Sequence, residues 1–149
     1  MKITEALVAE HRIFRSVFDQ IERVLPWLAT VAEVKVLASV IEGMLEDHAG
    51  TETNLAYLAL DHVMQDKGQL DRLHEEHQEI DASLRRVQQT DSCPEARRLL
   101  ATAIAASRHH FHFEEQTVFP LLESVLQGGT LTELGATWSE RSAMLLSAS

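Results

Sequence analysis

The pattern His-x-x-x-Glu occurs twice in this chain, as His48 with Glu52 and as His110 with Glu114, and both copies lie inside stripes of apolar residues. A helix turns once in about 3.6 residues, so a four-residue step brings the imidazole and the carboxylate to one face. An otherwise apolar face belongs to a core, where ionisable groups are expensive to bury alone. The chain must therefore fold so that its inward histidines and glutamates meet, and a cation between them is the simplest compensation for both.

Apolar residues recur at three- and four-residue steps almost throughout, glycine and proline number only six and three, and no sustained period-two alternation is present. An all-α chain follows. The spacing predicts a first helix from about Thr4, as N-cap, to about Leu25, with Leu7, His11, Phe14, Phe18 and Ile21 on one stripe and Pro26 as its punctuation. Thr30 with Glu33 reads as a capping box opening a second helix that carries Ile41, Leu45, His48, Glu52, Leu55 and Ala59. The pattern weakens around Gln65 to Gly68. A third helix then presents Leu70, Leu73, His74, His77, Ile80, Leu84 and Val87.

Asp91-Ser92-Cys93-Pro94 reads as a loop and a helix start, and the fourth helix continues to about Gln127 with Ala103, Ser107, His110, Glu114, Thr117 and Leu121 inward. Pro120 predicts a kink within it, Gly128-Gly129 its end, and Thr130 with Glu133 the cap of a short fifth helix over about 131–147. Long helices with short connections favour antiparallel neighbours. The expected architecture is an up-down-up-down four-helix bundle over about residues 4–127 with a short C-terminal fifth helix, in a single domain.

The two halves of the bundle resemble repeats of one hairpin, each giving a lone histidine and then a His-x-x-x-Glu pair. Their ligands can gather about a pseudo-twofold axis suited to two cations. The candidates are His11, His48, Glu52, His77, His110 and Glu114, with His74 one turn before His77 as ligand, gate or outer partner. Imidazole and carboxylate without thiolate suit iron, manganese or zinc, and a carboxylate bridges two cations readily. His62, His109 and His112 fall off the stripes. Glu46, Asp47, Glu75, Glu76 and Glu79 read as solvated, Glu115 as pointing elsewhere, and Cys93 as an exposed thiol; Tyr57, about one turn past Glu52, reads as a packed aromatic with its hydroxyl near the surface, the alternative being a contact with the pocket.

Thirteen basic residues against twenty-three acidic ones give a formal charge of −10, which excludes nucleic-acid binding as a main function. The single cysteine permits no intramolecular disulfide, no signal-peptide core opens the chain, and no stretch approaches the roughly 18 uncharged residues of a membrane span. A cytoplasmic protein without membrane attachment is expected.

His110-Phe111-His112-Phe113-Glu114-Glu115 followed by Val118-Phe119-Pro120-Leu121-Leu122, together with Glu10-His11-Arg12 and Glu76-His77-Gln78, resembles the hemerythrin-like, or HHE cation-binding, domain family over about residues 4–125. The resemblance implies a four-helix bundle holding two non-heme Fe ions, with Glu52 and Glu114 as carboxylate bridges and His11, His48, His77 and His110 as terminal ligands. Oxygen carriers of that family place two histidines four apart on the third helix and a His-x-x-x-x-Asp on the fourth. Here His74-x-x-His77 and His110-x-x-x-Glu114 are closer to the bacterial and regulatory members. The function implied is binding of O2 or NO for storage, delivery or sensing. The alternatives are an enzyme that reduces O2, peroxide or NO or repairs iron sites, and a metal- or redox-responsive module read by a protein partner through the fifth helix, around Trp138, Met144, Leu145 and Leu146.

Overall fold

The computed structural model describes residues 1–62 and 68–147, with residue 69 and residues 145–147 as backbone alone. Every regular element among them is helical, and the helices form a four-rod bundle with a C-terminal helix laid against it. The first rod is α1 (Ile3–Val24). It opens from Lys2, whose N–H donates to Glu5 Oε2 at 2.8 Å, ahead of the expected cap at Thr4. Thr4 is instead buried in the first turn, where its hydroxyl donates to Glu123 Oε1 at 2.5 Å.

After a 3-10 turn at Leu25–Trp27, α2 (Val31–Thr51) starts at the expected cap: Thr30 Oγ1 accepts the Glu33 N–H at 3.3 Å and Glu33 Oε2 accepts the Thr30 N–H at 2.9 Å. The second rod runs on through a π turn at Glu52–Tyr57 into α3 (Leu58–Asp61). The weakly patterned Gln65 to Lys67 lie outside the described residues, and α4 (Gly68–Gln89) forms the third rod. The fourth is α5 (Cys93–Phe113), opened by Ser92 Oγ accepting the Glu95 N–H at 3.4 Å, then a second π turn at Glu114–Val118 and α6 (Phe119–Val125).

The kink expected at Pro120 takes the form of that second π turn. Proline lacks an N–H and its ring crowds the carbonyl four residues back. In the widened turn the Phe119 N–H reaches back five residues to the Glu114 carbonyl, so the rod continues without a break. A π turn also brings a residue five positions on to nearly the same face, which a regular α-helix does not. Both turns begin at a glutamate of a His-x-x-x-Glu pair.

Gly128-Gly129 does not end the fourth rod. That rod stops at Leu126, which turns extended at φ −101° and ψ 144°, and α7 (Gly128–Ser147) begins at the glycines, ahead of Thr130. No glycine among the described residues has positive φ, so no left-handed cap is formed there. α7 packs on α1 through Leu131, 1% exposed, and Gly135 lies against the backbone of Met1 and Lys2. The expected patch residues Leu145 and Leu146 have side chains outside the described set. No helix among the described residues is long and apolar enough to cross a membrane.

Two apolar clusters fill the bundle. One gathers Phe14, Phe18, Ile41, Leu84, Leu100 and Phe111; the other gathers Ile3, Leu7, Leu60, Leu73, Phe119 and Leu122. Polar residues His11, His48, Glu52, His110 and Glu114 are also buried, at 0–3% exposure.

The glycines give a test of the α7 contact. Gly43 is exposed mid-helix, with open space where a methyl would stand, so Gly43→Ala should stabilise by about 0.5–1 kcal/mol through lower backbone entropy in the unfolded chain. At Gly135 a Cβ would collide with the Met1 carbonyl oxygen, so the same substitution should destabilise by about 1–3 kcal/mol. Urea unfolding of the two variants checks the opposite signs.

Candidate metal centre

Each inward ligand is carried to the middle of the bundle by the apolar stripe around it. His11 follows Leu7 and precedes Phe14 on α1; His48 follows Leu45 on α2; His110 follows Ser107 on α5. His11 Nε2 lies 3.0 Å from His48 Nε2, 3.6 Å from Glu52 Oε1 and 3.4 Å from Glu114 Oε2. His48 Nε2 stands 3.1 Å from Glu52 Oε1. On the other side, His77 Nε2 is 3.6 Å from Glu52 Oε2 and His110 Nε2 is 3.5 Å from Glu114 Oε1.

These atoms form two overlapping sets able to hold a cation, His11 with His48, Glu52 and Glu114, and Glu52 with His77 and His110, each within 4.8 Å. Glu52 belongs to both. Glu52 Oε1, Glu114 Oε2 and His110 Nε2 are buried without any hydrogen-bond partner. Orphaned acceptors of both ligand types converging on one point are what a hard or borderline cation requires.

The imidazoles are aimed by a second ring of carboxylates. Glu115 Oε1 accepts a hydrogen bond from His11 Nδ1 at 2.9 Å, Glu10 Oε2 from His48 Nδ1 at 2.7 Å, and Glu76 Oε2 from His110 Nδ1 at 2.8 Å. A carboxylate at Nδ1 fixes the tautomer with its proton there and leaves the Nε2 lone pair facing the centre. This corrects two expectations: Glu76 does not simply face solvent, and Glu115 does not point elsewhere. The pairing crosses between rods. Glu10 precedes His11 in sequence yet holds His48, and Glu76 precedes His77 yet holds His110, because a residue one step off the inward stripe faces the neighbouring helix.

Tyr57 overturns the expectation that its hydroxyl lies near the surface. It is 2% exposed, and its hydroxyl donates to Glu114 Oε1 and lies 3.4 Å from Glu52 Oε2. At regular helical pitch a residue five past Glu52 points away from it; the π turn brings it back. Burial, and then the charges of Glu52 and Glu114, hold the Tyr57 phenol well above its ordinary value. The structure leaves His74 outside both sets: it is exposed, with its ring edge-on to Tyr57 at 5.8 Å. His62, His109 and His112 are all exposed and belong to neither set.

Aromatic rings dry the site. Phe111 stacks on His11 at 4.0 Å and Phe14 meets His48 edge-on at 4.9 Å. A narrow, partly open cavity of about 20 Å³ lies against His48, His77 and His110 and is also lined by Leu45, Ala49, Ile80, Asp81 and Phe111. A larger surface hollow of about 660 Å³ beside α1 and α6 touches none of the proposed ligands.

With no cation between them, the buried groups compensate one another with protons. Burial opposes charge on His48, yet Glu52 and Glu10 outweigh it and push the imidazole up to about 10. Burial likewise opposes the charge on Glu52, but His48, His11 and His77 hold its carboxyl well below the usual range. His48 thus binds its proton more tightly folded than unfolded. Its contribution to stability is complete below the ordinary value of 6.5 and is lost as pH rises through about 10. Chelator-treated protein should therefore lose stability across that window, and Glu52→Gln should flatten the slope; urea unfolding at several pH values measures both.

The family model described as the hemerythrin HHE cation binding domain matches residues 2–122. No curated protein and no solved structure matched the chain. With that match spanning most of its length and a buried histidine–glutamate cluster able to hold metal, the chain belongs to the hemerythrin HHE cation-binding domain family.

Proposed function

We propose that this chain is a non-heme di-iron protein that binds O2 or a related diatomic such as NO. The carrying observation is the sharing of Glu52 between two ligand sets, beside a narrow, partly open cavity with room for little more than one water-sized molecule. In this reading Glu52 and Glu114 would be the carboxylates held in common, with His11 and His48 holding one iron and His77 and His110 the other. His74 stays outside. The donor set, nitrogen and oxygen without sulfur, fits iron.

A ferrous pair, when bound, supplies electrons and an open coordination position to the incoming molecule. The protein's own residues do the rest. Glu115, Glu10 and Glu76 hold the imidazole protons at Nδ1 and so keep Nε2 directed inward. Phe14 and Phe111 shield the imidazoles from water, and the narrow cavity beside them has room for a diatomic.

A second reading, reduction of O2, peroxide or NO, has Tyr57 in its favour. A buried hydroxyl donating to a bridging carboxylate is a proton source within reach of the reacting centre. In that case reductant-dependent turnover should be measurable and Tyr57→Phe should lower it roughly 10-fold or more. Binding without turnover, unaffected by Tyr57→Phe, supports the first reading.

The ligand assignment is tested by metal content. Glu52→Ala and Glu114→Ala should lose paired-metal binding while His112→Ala keeps it; equal content in all three would contradict the assignment. The cavity is tested by Ala49→Leu, which narrows it from a wall position that is not itself a proposed ligand. Ferrous Ala49→Leu protein should keep its metal yet take up NO roughly 10-fold more slowly than wild type in anaerobic stopped-flow.

A further inference from the structure

The three outer carboxylates are not held alike. Glu115 Oε1 also accepts from Arg15 at 2.8 Å, and Glu76 Oε1 accepts from Arg72 Nε at 2.8 Å. Both arginines lie on rods of the bundle, α1 and α4. Glu10 is the exception. Its Oε2 accepts from His48 Nδ1 at 2.7 Å, while its Oε1 accepts the indole N–H of Trp138 at 2.9 Å, and Trp138 belongs to α7. One imidazole of the centre is therefore aimed by a helix outside the four rods. The hydrogen bonds of Thr132, Thr137 and Ser142 stay within α7, each returning to the backbone four residues back.

We propose that Trp138 is a positioning residue for the metal centre: through Glu10 it couples the docking of α7 to cation binding at His48. The inference rests on the di-metal reading above. A carboxylate pinned at both oxygens holds an imidazole in one orientation, whereas one pinned only by that imidazole turns with it. The indole also draws charge from Glu10, which works against His48 as a donor. Glu10 is 23% exposed, so water replaces that polarisation when the indole is removed. Water does not replace its fixed direction, and orientation decides the sign.

Coupling of this kind is reciprocal. If docked α7 tightens metal binding by some factor, bound metal tightens the docking of α7 by the same factor. Metal occupancy in the core is thereby readable on the outer surface of α7, where Met144 is 69% exposed.

The test compares the full-length protein with Trp138→Phe and Leu134→Ala. Trp138→Phe keeps a ring in place and deletes the N–H; Leu134→Ala loosens the packing of α7 and leaves the bond alone. Anaerobic competition of Fe(II) against a chelator reads affinity, and hydrogen exchange of the α7 amides with and without Fe(II) reads docking. Trp138→Phe should bind Fe(II) at least about 5-fold more weakly. Leu134→Ala lowers the docked fraction of α7 and so should weaken Fe(II) binding as well, though less than Trp138→Phe, and Fe(II) should slow α7 exchange in wild type and in Leu134→Ala but not in Trp138→Phe. Wild-type affinity in Trp138→Phe, or α7 exchange that Fe(II) slows as much in Trp138→Phe as in wild type, overturns the coupling while leaving the centre intact. Absence of Fe(II) binding in the wild type itself removes both.

Discussion

Glu52 and Glu114 sit at 0% exposure in the middle of a helical bundle, and two carboxylates so placed cannot both keep their charge unless positive charge stands beside them. Much else about the centre answers that demand. Four imidazoles approach them within 3.6 Å, and the outer carboxylates Glu10, Glu76 and Glu115 turn three of those imidazoles inward. The two π turns begin at these same glutamates. With protons the cluster is compensated imperfectly, leaving Glu52 Oε1, Glu114 Oε2 and His110 Nε2 unpartnered; cations satisfy all three at once.

What the sequence revealed was whatever follows from regular helical pitch. The stripes through His11, His48 and His110, the capping box at Thr30 and Glu33, and the start at Ser92 with Pro94 all depend on local spacing and appear as expected. Tyr57 and the outer carboxylates were hidden for two different reasons. Tyr57 faces the centre only because a π turn resets the pitch after Glu52, and nothing in residue spacing marks that turn. Glu10 and Glu76 act on the neighbouring rod, as Glu115 does on α1, so their role depends on how the helices pack. A signal was nevertheless present, since each adjoins a proposed ligand in sequence. The start of α7 differs from expectation because Gly128-Gly129 resembles a helix end, whereas Leu126 already provides it by turning extended.

The same geometry bears on function. A narrow, partly open space of about 20 Å³ lies against three imidazoles, and its exposed walls are mostly apolar. Carrier and enzyme differ here in what Tyr57 does with its proton. A sensor differs in whether α7 responds to the core through Glu10 and Trp138. The bundle can serve any of these with the same ligands, and the residues around the ligands decide among them.

The central claim is that Glu52 and Glu114, with the four inward imidazoles, hold a pair of cations. Elemental analysis of wild-type protein purified without oxygen and supplied with ferrous iron tests it most directly. The account predicts two irons per chain, in a protein that keeps its helical spectrum. One iron or none per folded chain would contradict it, and would mean that protons alone compensate the buried glutamates.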